Sequence, residues 1–297
     1  MKHAVKYTGP MRFAHRGLVQ YGPDNTLDAF RNAVDHGLEG IELDVQLSKD
    51  GEIIVAHDAN LTRMTLGHPT AINYNRIREM TWEELSRVEM PYANHLLPVE
   101  LPHYSEVETM ATLVPQQVLG QKGSCDYIEA LARDGRMAHL MRFCDFDTWF
   151  AGQSADVTVE VEVKSLGVMP RMLEILDQSS NVGRYILFSG VPAINEEIQI
   201  ACRMQGKPKG LRLGANLRFM NEETRRAVSE WDLFEIGLNA EHFTQEDVLW
   251  LRDRGIAVFS NLGDYPAWWE KLCSMDVMGF KTNYAEAFTD WWMARFR

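Results

Sequence analysis

The most regular patterning in the chain is the alternation of apolar and polar positions in two short runs, IELDVQL (41–47) and IIVAH (53–57), separated by Ser48-Lys49-Asp50-Gly51. Asp-Gly between strand-like runs is a strong hairpin signal, so residues 41 to 57 are expected to form strand, tight turn and strand. Successive side chains on a strand point to opposite faces. Ile41, Leu43 and Val45 then share one face, and Glu42, Asp44 and Gln46 share the other. Upstream, apolar residues at Leu27, Phe30, Ala33 and Val34 follow the turn-forming GPDNT stretch and stop before Gly37, which predicts a helix capped by Asn25 or Thr26.

Beyond Ala59 the rhythm lapses. TWEELSRV, the proline-rich LLPVELPHY and YIEALARDG read as parts of an insertion at about 59–147, whose last helix returns to the scaffold. From DVTVEVEVK (156–164) onward, strand-like and helix-like runs alternate to the end. Strands fall near residues 13, 43, 160, 186, 213, 236, 258 and 280, each followed by a helical stretch. Such a series predicts an α/β fold of the (β/α)8 TIM barrel type, with an insertion after the second strand and a single domain over residues 1–297. An open doubly wound sheet is the other arrangement that alternation allows, but no glycine-rich phosphate loop follows the first strand.

A barrel changes how the charged residues read, because its catalytic groups gather at the C-terminal strand ends. His15 and Arg16 end strand one, Glu42 and Asp44 lie along strand two, and Glu162 and Lys164 end strand three. On strand three Val157, Val159, Val161 and Val163 take one face, leaving Thr158, Glu160, Glu162 and Lys164 aimed at the barrel axis. A structural Glu162–Lys164 ion pair would explain that strand alone; three strands ending this way favour a site. If Glu42, Asp44 and Glu162 converge, oxygen ligands without cysteine favour one divalent cation, Mg²⁺ or Ca²⁺ with Mn²⁺ as a third choice, over zinc. Together with Arg16 and Lys164, that cation would clamp a phosphate, with His15 and His57 placed as base and acid on either side. Asp58 either orients His57 or closes the hairpin end as a salt bridge.

Composition removes other classes. A formal net charge of -12 argues against nucleic acid as a partner, so an anionic substrate must be met locally. Cys125, Cys144, Cys202 and Cys273 lack C-x-x-C spacing and suit reduced thiols in a cytoplasmic protein. The N-terminal MKHAVKYTGPMRFAHRG has no apolar core of a signal peptide, and no stretch approaches the ~20 apolar residues of a membrane span. Trp268-Trp269 and Trp291-Trp292 fit helix faces packed on the barrel or a homodimer surface.

The motifs FAHRG, PDNT, IELDVQLSKDG, VAHD and VEVK, in this order, resemble those of the glycerophosphodiester phosphodiesterases, closely over residues 12 to 66 and again near 158 to 165. The resemblance implies a (β/α)8 barrel whose insertion covers the active site. It also implies His15 and His57 as the acid–base pair, Glu42, Asp44 and Glu162 as metal ligands, and Arg16 and Lys164 as phosphate contacts. The implied reaction is attack by the substrate glycerol's own hydroxyl, then opening of a cyclic phosphate by water, yielding an alcohol and sn-glycerol 3-phosphate. There are departures. Asp24 stands where the family usually has Glu, strand seven reads AVFSNLGD rather than ending in Trp-Thr-Val-Asn, and Asn283 replaces the Asp of Thr-Asp-x-Pro. Trp82, Tyr92, His95, His103 and Tyr104 line either a pocket or the insertion's own small core, while His3, His36, His68, His139 and His242 read as surface or core residues. The rival readings are a related barrel phosphodiesterase acting on lysophospholipids or sugar phosphodiesters, with release of a cyclic phosphate as one outcome, and a catalytically inactive phosphoester-binding module.

Overall fold

Strands form on the short apolar runs, and helices on the amphipathic runs between them. The computed structural model describes residues 9–19, 21–61, 64–65, 76–92, 135–154, 156–261, 263–264 and 266–296. Parallel strands β1 (Met11–Ala14), β2 (Gly40–Leu47), β7 (Thr158–Val163), β8 (Tyr185–Phe188), β9 (Arg212–Leu217), β10 (Glu235–Asn239), β11 (Ala257–Asn261) and β12 (Gly279–Thr282) pair in sequence order. β12 pairs with β1 and β1 with β2, which closes the ring. The barrel is therefore the architecture, and the open sheet is excluded.

The register at the seam decides which side chains meet at the C-terminal end of the barrel. Ala14 is opposite Thr282 on one side and Ile41 on the other, so His15 emerges beside Asn283 and Glu42. Asp44 lies opposite Glu162 across β2 and β7. Close strand approach at the barrel floor needs Gly40, where an added Cβ would sit 2.3 Å from the Phe13 ring.

The expected hairpin forms from the end of β2 and β3 (Ile53–Val55), with Val45 opposite Val55. Its turn is longer than a two-residue one: the Gly51 amide donates to the Ser48 carbonyl, the Ser48 amide to Glu52, and Gly51 takes φ +84, the form of a type I turn followed by a glycine bulge. Helix Leu27–Asp35 is capped by Thr26 and buries Ala29, Phe30 and Ala33.

Helix Phe143–Phe150 buries Phe143, Phe146 and Phe150 in the same core cluster as β2, β7 and helix Met169–Gln178. Each such phenylalanine contributes roughly 1.5–3 kcal/mol, which fixes this helix as the barrel's second. The stretch set between strand two and that helix thus ends near Arg142. It contains β4 (Glu89–Pro91) paired with β5 (Met137–His139), and β6 (Met141–Arg142) paired antiparallel with β3. Ile54, Leu61, Ile77, Leu85 and Met90 form a separate small core there, against which Trp82 and Tyr92 pack. LLPVELPHY, most of YIEALARDG, His3, His68, His95, His103, Tyr104 and Cys125 lie outside the described residues.

A further cluster joins β9 to β12 with the last two helices. Trp269 is buried against Phe288 and Trp291, and Trp268, Trp291 and Trp292 pack partly buried on the same core, as the packing alternative expected. Among the described residues no helix is long and apolar enough to cross a membrane.

Candidate active site

The barrel brings His15, Arg16, Glu42, Asp44, Glu162 and Lys164 together at the C-terminal ends of β1, β2 and β7. Glu42, Asp44 and Glu162 each offer an oxygen, all within 4.8 Å of one another. Glu42 and Asp44 are 1% and 0% exposed. Burial, then the charges of Asp44 and Glu162, push the Glu42 carboxyl well above the usual carboxylate range. Asp44 goes the other way. Burial opposes its charge, but Arg16, Lys164 and His57, with the Asn25 amide, outweigh burial and hold its carboxyl below the usual range.

The basic partners are specific. Arg16 Nε lies 3.3 Å from Asp44 Oδ2, and its Nη1 lies 3.3 Å from Asp24 Oδ2. The shortened Asp24 therefore keeps its charge partner. Lys164 Nζ sits 2.8 Å from Glu162 and 3.2 Å from Asp44. Burial opposes the ammonium, yet Asp44 and Glu162 raise its pKa.

Arg16 and Asn25 both take left-handed backbone angles, φ 59. Non-glycine residues in that region cost about 1–3 kcal/mol and persist where neighbours over-determine them. Here the Arg16 amide donates to Glu42 Oε2 at 2.9 Å and the Asn25 amide donates to the Arg16 carbonyl at 2.9 Å. The Asn25 side chain donates to Asp44 Oδ2 at 2.9 Å and accepts from the Asp44 amide at 3.0 Å. Read from sequence only as a candidate helix cap, Asn25 clamps a candidate ligand. Its position in PDNT, one residue before the true cap, was the available signal.

The two histidines differ. His57 Nδ1 lies 2.6 Å from Asp58 Oδ1, and the His57 carbonyl accepts from Gln46 Nε2 at 2.8 Å. Asp58 thus orients the ring. His15 is 7% exposed, and burial, Arg16 and His57 lower its pKa well below the ordinary value against the pull of Asn283 and Asp44. The site favours the neutral form of this imidazole. Its Nδ1 lies 2.9 Å from Asn283 Oδ1, and the Asn283 amide in turn meets Asp264.

One layer deeper, Lys281 Nζ pairs with Glu160 Oε2 at 3.0 Å, and Glu235 and Arg212 face the same space. Burial and Glu160 raise the Glu235 carboxyl, while Lys281 weighs on Glu42 from below. A lysine in the middle of the apolar VMGFKTN run was the unused signal for this layer.

The chain matches the sequence model of the glycerophosphoryl diester phosphodiesterase family over residues 15–188. The chain belongs to that family. A glycerophosphodiester phosphodiesterase of Bacillus altitudinis is 38% identical over 102 residues, covering 34% of this chain and 39% of the relative. Human glycerophosphodiester phosphodiesterase 1 is 36% identical over 89 residues, covering 30% of this chain and 25% of that protein. The chain therefore spans well under half the length of these curated relatives. Among solved structures, the family member from Thermotoga maritima superposes with a TM-score of 0.61 at 22% identity, over 96% of this chain and 100% of its own. A phosphodiesterase of Oleispira antarctica, solved with its product sn-glycerol 3-phosphate, superposes with a TM-score of 0.68 at 16% identity, over 95% and 96% of the two chains. At these identities the family's solved members share the barrel fold with this chain.

The donor set also fits a divalent cation. Three carboxylates crowd one point with only oxygen on offer, and the cations beside them, Arg16 and Lys164, leave the negative charge of the set in excess. Glu42, Asp44 and Glu162 are the residues that could hold it.

Proposed function

We propose that this chain hydrolyses glycerophosphodiesters to an alcohol and sn-glycerol 3-phosphate, with one divalent cation, Mg²⁺ or Ca²⁺, held by Glu42, Asp44 and Glu162. The carrying observation is the convergence of those three carboxylates within 4.8 Å beside two cations and a buried imidazole. When bound, such a cation polarises a phosphoryl oxygen and offsets charge gained during displacement.

Arg16 and Lys164 are the phosphate contacts and add fixed positive charge where the transition state gains negative charge. His15 takes the proton of the attacking glycerol hydroxyl. His57, held through Nδ1 by Asp58, gives a proton to the departing alkoxide, so the alcohol leaves neutral. Water then opens the cyclic phosphate with the two imidazoles in exchanged roles. The reading also takes the protein as cytoplasmic, in keeping with Cys144, Cys202 and Cys273, which are free thiols.

A second reading, lysophospholipids as substrate, draws on Leu166, Val191 and Phe219, which are 49%, 46% and 47% exposed on the loops after β7, β8 and β9. These loops ring the catalytic end, where an acyl chain would leave the barrel.

The test is release of sn-glycerol 3-phosphate from glycerophosphocholine, with EDTA and metal add-back, for wild type, His15→Ala and Glu42→Ala. Metal-dependent release, abolished in both variants, is expected. A folded, metal-loaded wild type that releases none refutes the reading, and turnover of lysophosphatidylcholine in its place supports the second.

A further inference from the structure

Asn283 faces two ways. Its Oδ1 lies 2.9 Å from His15 Nδ1, and its Nδ2 donates to Asp264 Oδ2 at 2.7 Å. An asparagine side chain can be turned end for end, so its orientation must be fixed by something else. Asp264 supplies that. It is 2% exposed and accepts from the Thr282 hydroxyl at 2.9 Å, the Asn283 backbone amide at 2.8 Å and Asn283 Nδ2. The Thr282 hydroxyl and the Asn283 backbone N–H both donate to Oδ1, as suits an ionised carboxylate, so a turned Asn283 would set its own oxygen against Oδ2. The amide oxygen is thereby held toward His15. Facing an acceptor, His15 Nδ1 must carry the ring proton, and Nε2 is left with its lone pair.

We propose that Asp264 and Asn283 are positioning residues that lock His15 in the Nδ1–H tautomer, presenting Nε2 as the base, with the carboxylate acting through the intervening amide. The inference rests on the reading of His15 as the proton acceptor. It gives a task to Asn283, which stands where the family pattern has Asp. A carboxylate at 283 would touch the imidazole directly and favour its charged form; the amide orients the ring without adding charge, and the charge sits one residue further out.

The experiment joins two readouts on the full-length protein. Kinetics on a glycerophosphodiester are measured for wild type, His15→Ala, Asn283→Leu, Asp264→Asn, and the double swap Asp264→Asn/Asn283→Asp. Imidazole ¹⁵N shifts of His15 report the tautomer in the same folded proteins. The swap keeps the donor–acceptor pattern, since an Asn at 264 can donate to an Asp at 283 that still accepts from His15. Asn283→Leu and Asp264→Asn are expected to lower kcat about 10- to 100-fold with KM little changed, and to populate the Nε2–H form. The double swap is expected to restore Nδ1 protonation, and most of kcat once the pH exceeds the raised pKa that the carboxylate now touching His15 brings.

If His15→Ala abolishes turnover while folded Asn283→Leu keeps wild-type kcat and the Nδ1–H tautomer, this inference fails and the functional reading stands. Turnover that survives His15→Ala overturns the functional reading and with it the catalytic purpose of the dyad. Loss of kcat in Asn283→Leu with an unchanged tautomer, or a double swap no better than either single variant, also overturns the inference.

Discussion

Glu42→Gln separates the cost of the acidic cluster from its use. The Glu42 carboxylate lies within 4.8 Å of both Asp44 and Glu162 oxygens. At an effective dielectric of ~20 each such pair repels by about 3.5 kcal/mol or more when both are charged. Arg16 and Lys281 offset part of this, and protonation of Glu42 avoids the rest. Glutamine keeps the acceptor that the Arg16 amide uses at 2.9 Å and removes the charge. In EDTA at neutral pH the variant should therefore gain about 1–2 kcal/mol, or roughly 2–8 °C in Tm. The sign follows from linkage. The folded pKa lies above the unfolded one, so as pH rises through the ordinary glutamate range, the unfolded chain releases its proton first and the wild type loses stability. The advantage of glutamine should thus vanish near pH ~4 and grow upward. With metal at about a hundredfold excess over Kd, the wild type should gain about 2.7 kcal/mol, and the variant little. Thermal melts across pH, in EDTA and with Mg²⁺ or Ca²⁺, measure both. A variant less stable than wild type in EDTA, yet stabilised equally by metal, would refute the assignment of Glu42 as a ligand held in a strained acidic cluster.

Lys281→Met should destabilise the fold by about 3–5 kcal/mol, since it strands the fully buried Glu160, and urea unfolding of metal-free protein measures it. A simultaneous Glu160→Met should recover most of that loss. Asn25→Ala removes both hydrogen bonds to Asp44 while leaving the carboxylates in place, so calorimetric titration should show metal binding weakened about 10- to 100-fold. Unchanged affinity in a folded Asn25→Ala would mean that Asp44 needs no clamp.

What could be read from sequence tracks how local the cause is. The eight strands were legible because most are short apolar runs with their own alternation, and DVTVEVEVK even gave the correct inward face. Glu42, Asp44, Glu162 and Lys164 were legible because the strand period and a barrel axis suffice to aim them. The hairpin was legible in place but its turn was longer than Asp-Gly alone suggests, since Gly51 closes a type I turn rather than a two-residue one. The end of the insertion was harder. FCDFDTWF has the apolar spacing of a helix, but only its packing with Tyr185 and Phe30 shows that it belongs to the barrel and not to the small core beside it. Asn25 and Asp264 were not legible as site residues, because their importance lies in which way an amide or carboxylate faces across distant elements.

The register around β1 explains why the site divides as it does. Strand one carries His15 between two neighbours: β2 on one side, with Glu42 next after the Ala14–Ile41 pair, and β12 on the other, with Asn283 next after Ala14–Thr282. The β2 side continues through Asp44 to Glu162 on β7 and is the side that can hold a cation. The β12 side holds the imidazole, through a contact 268 residues apart in sequence. The family match covers residues 15–188, so it includes the first side and stops short of the second. Two kinds of lesion should then be distinguishable in one protein. Changes at Glu42 should move metal affinity and turnover together, whereas Asn283→Leu should lower turnover and leave the metal titration where it was. Were Asn283→Leu to weaken metal binding as strongly as Glu42→Gln, the seam would transmit strain across β1, and the two sides could not be treated as separate devices.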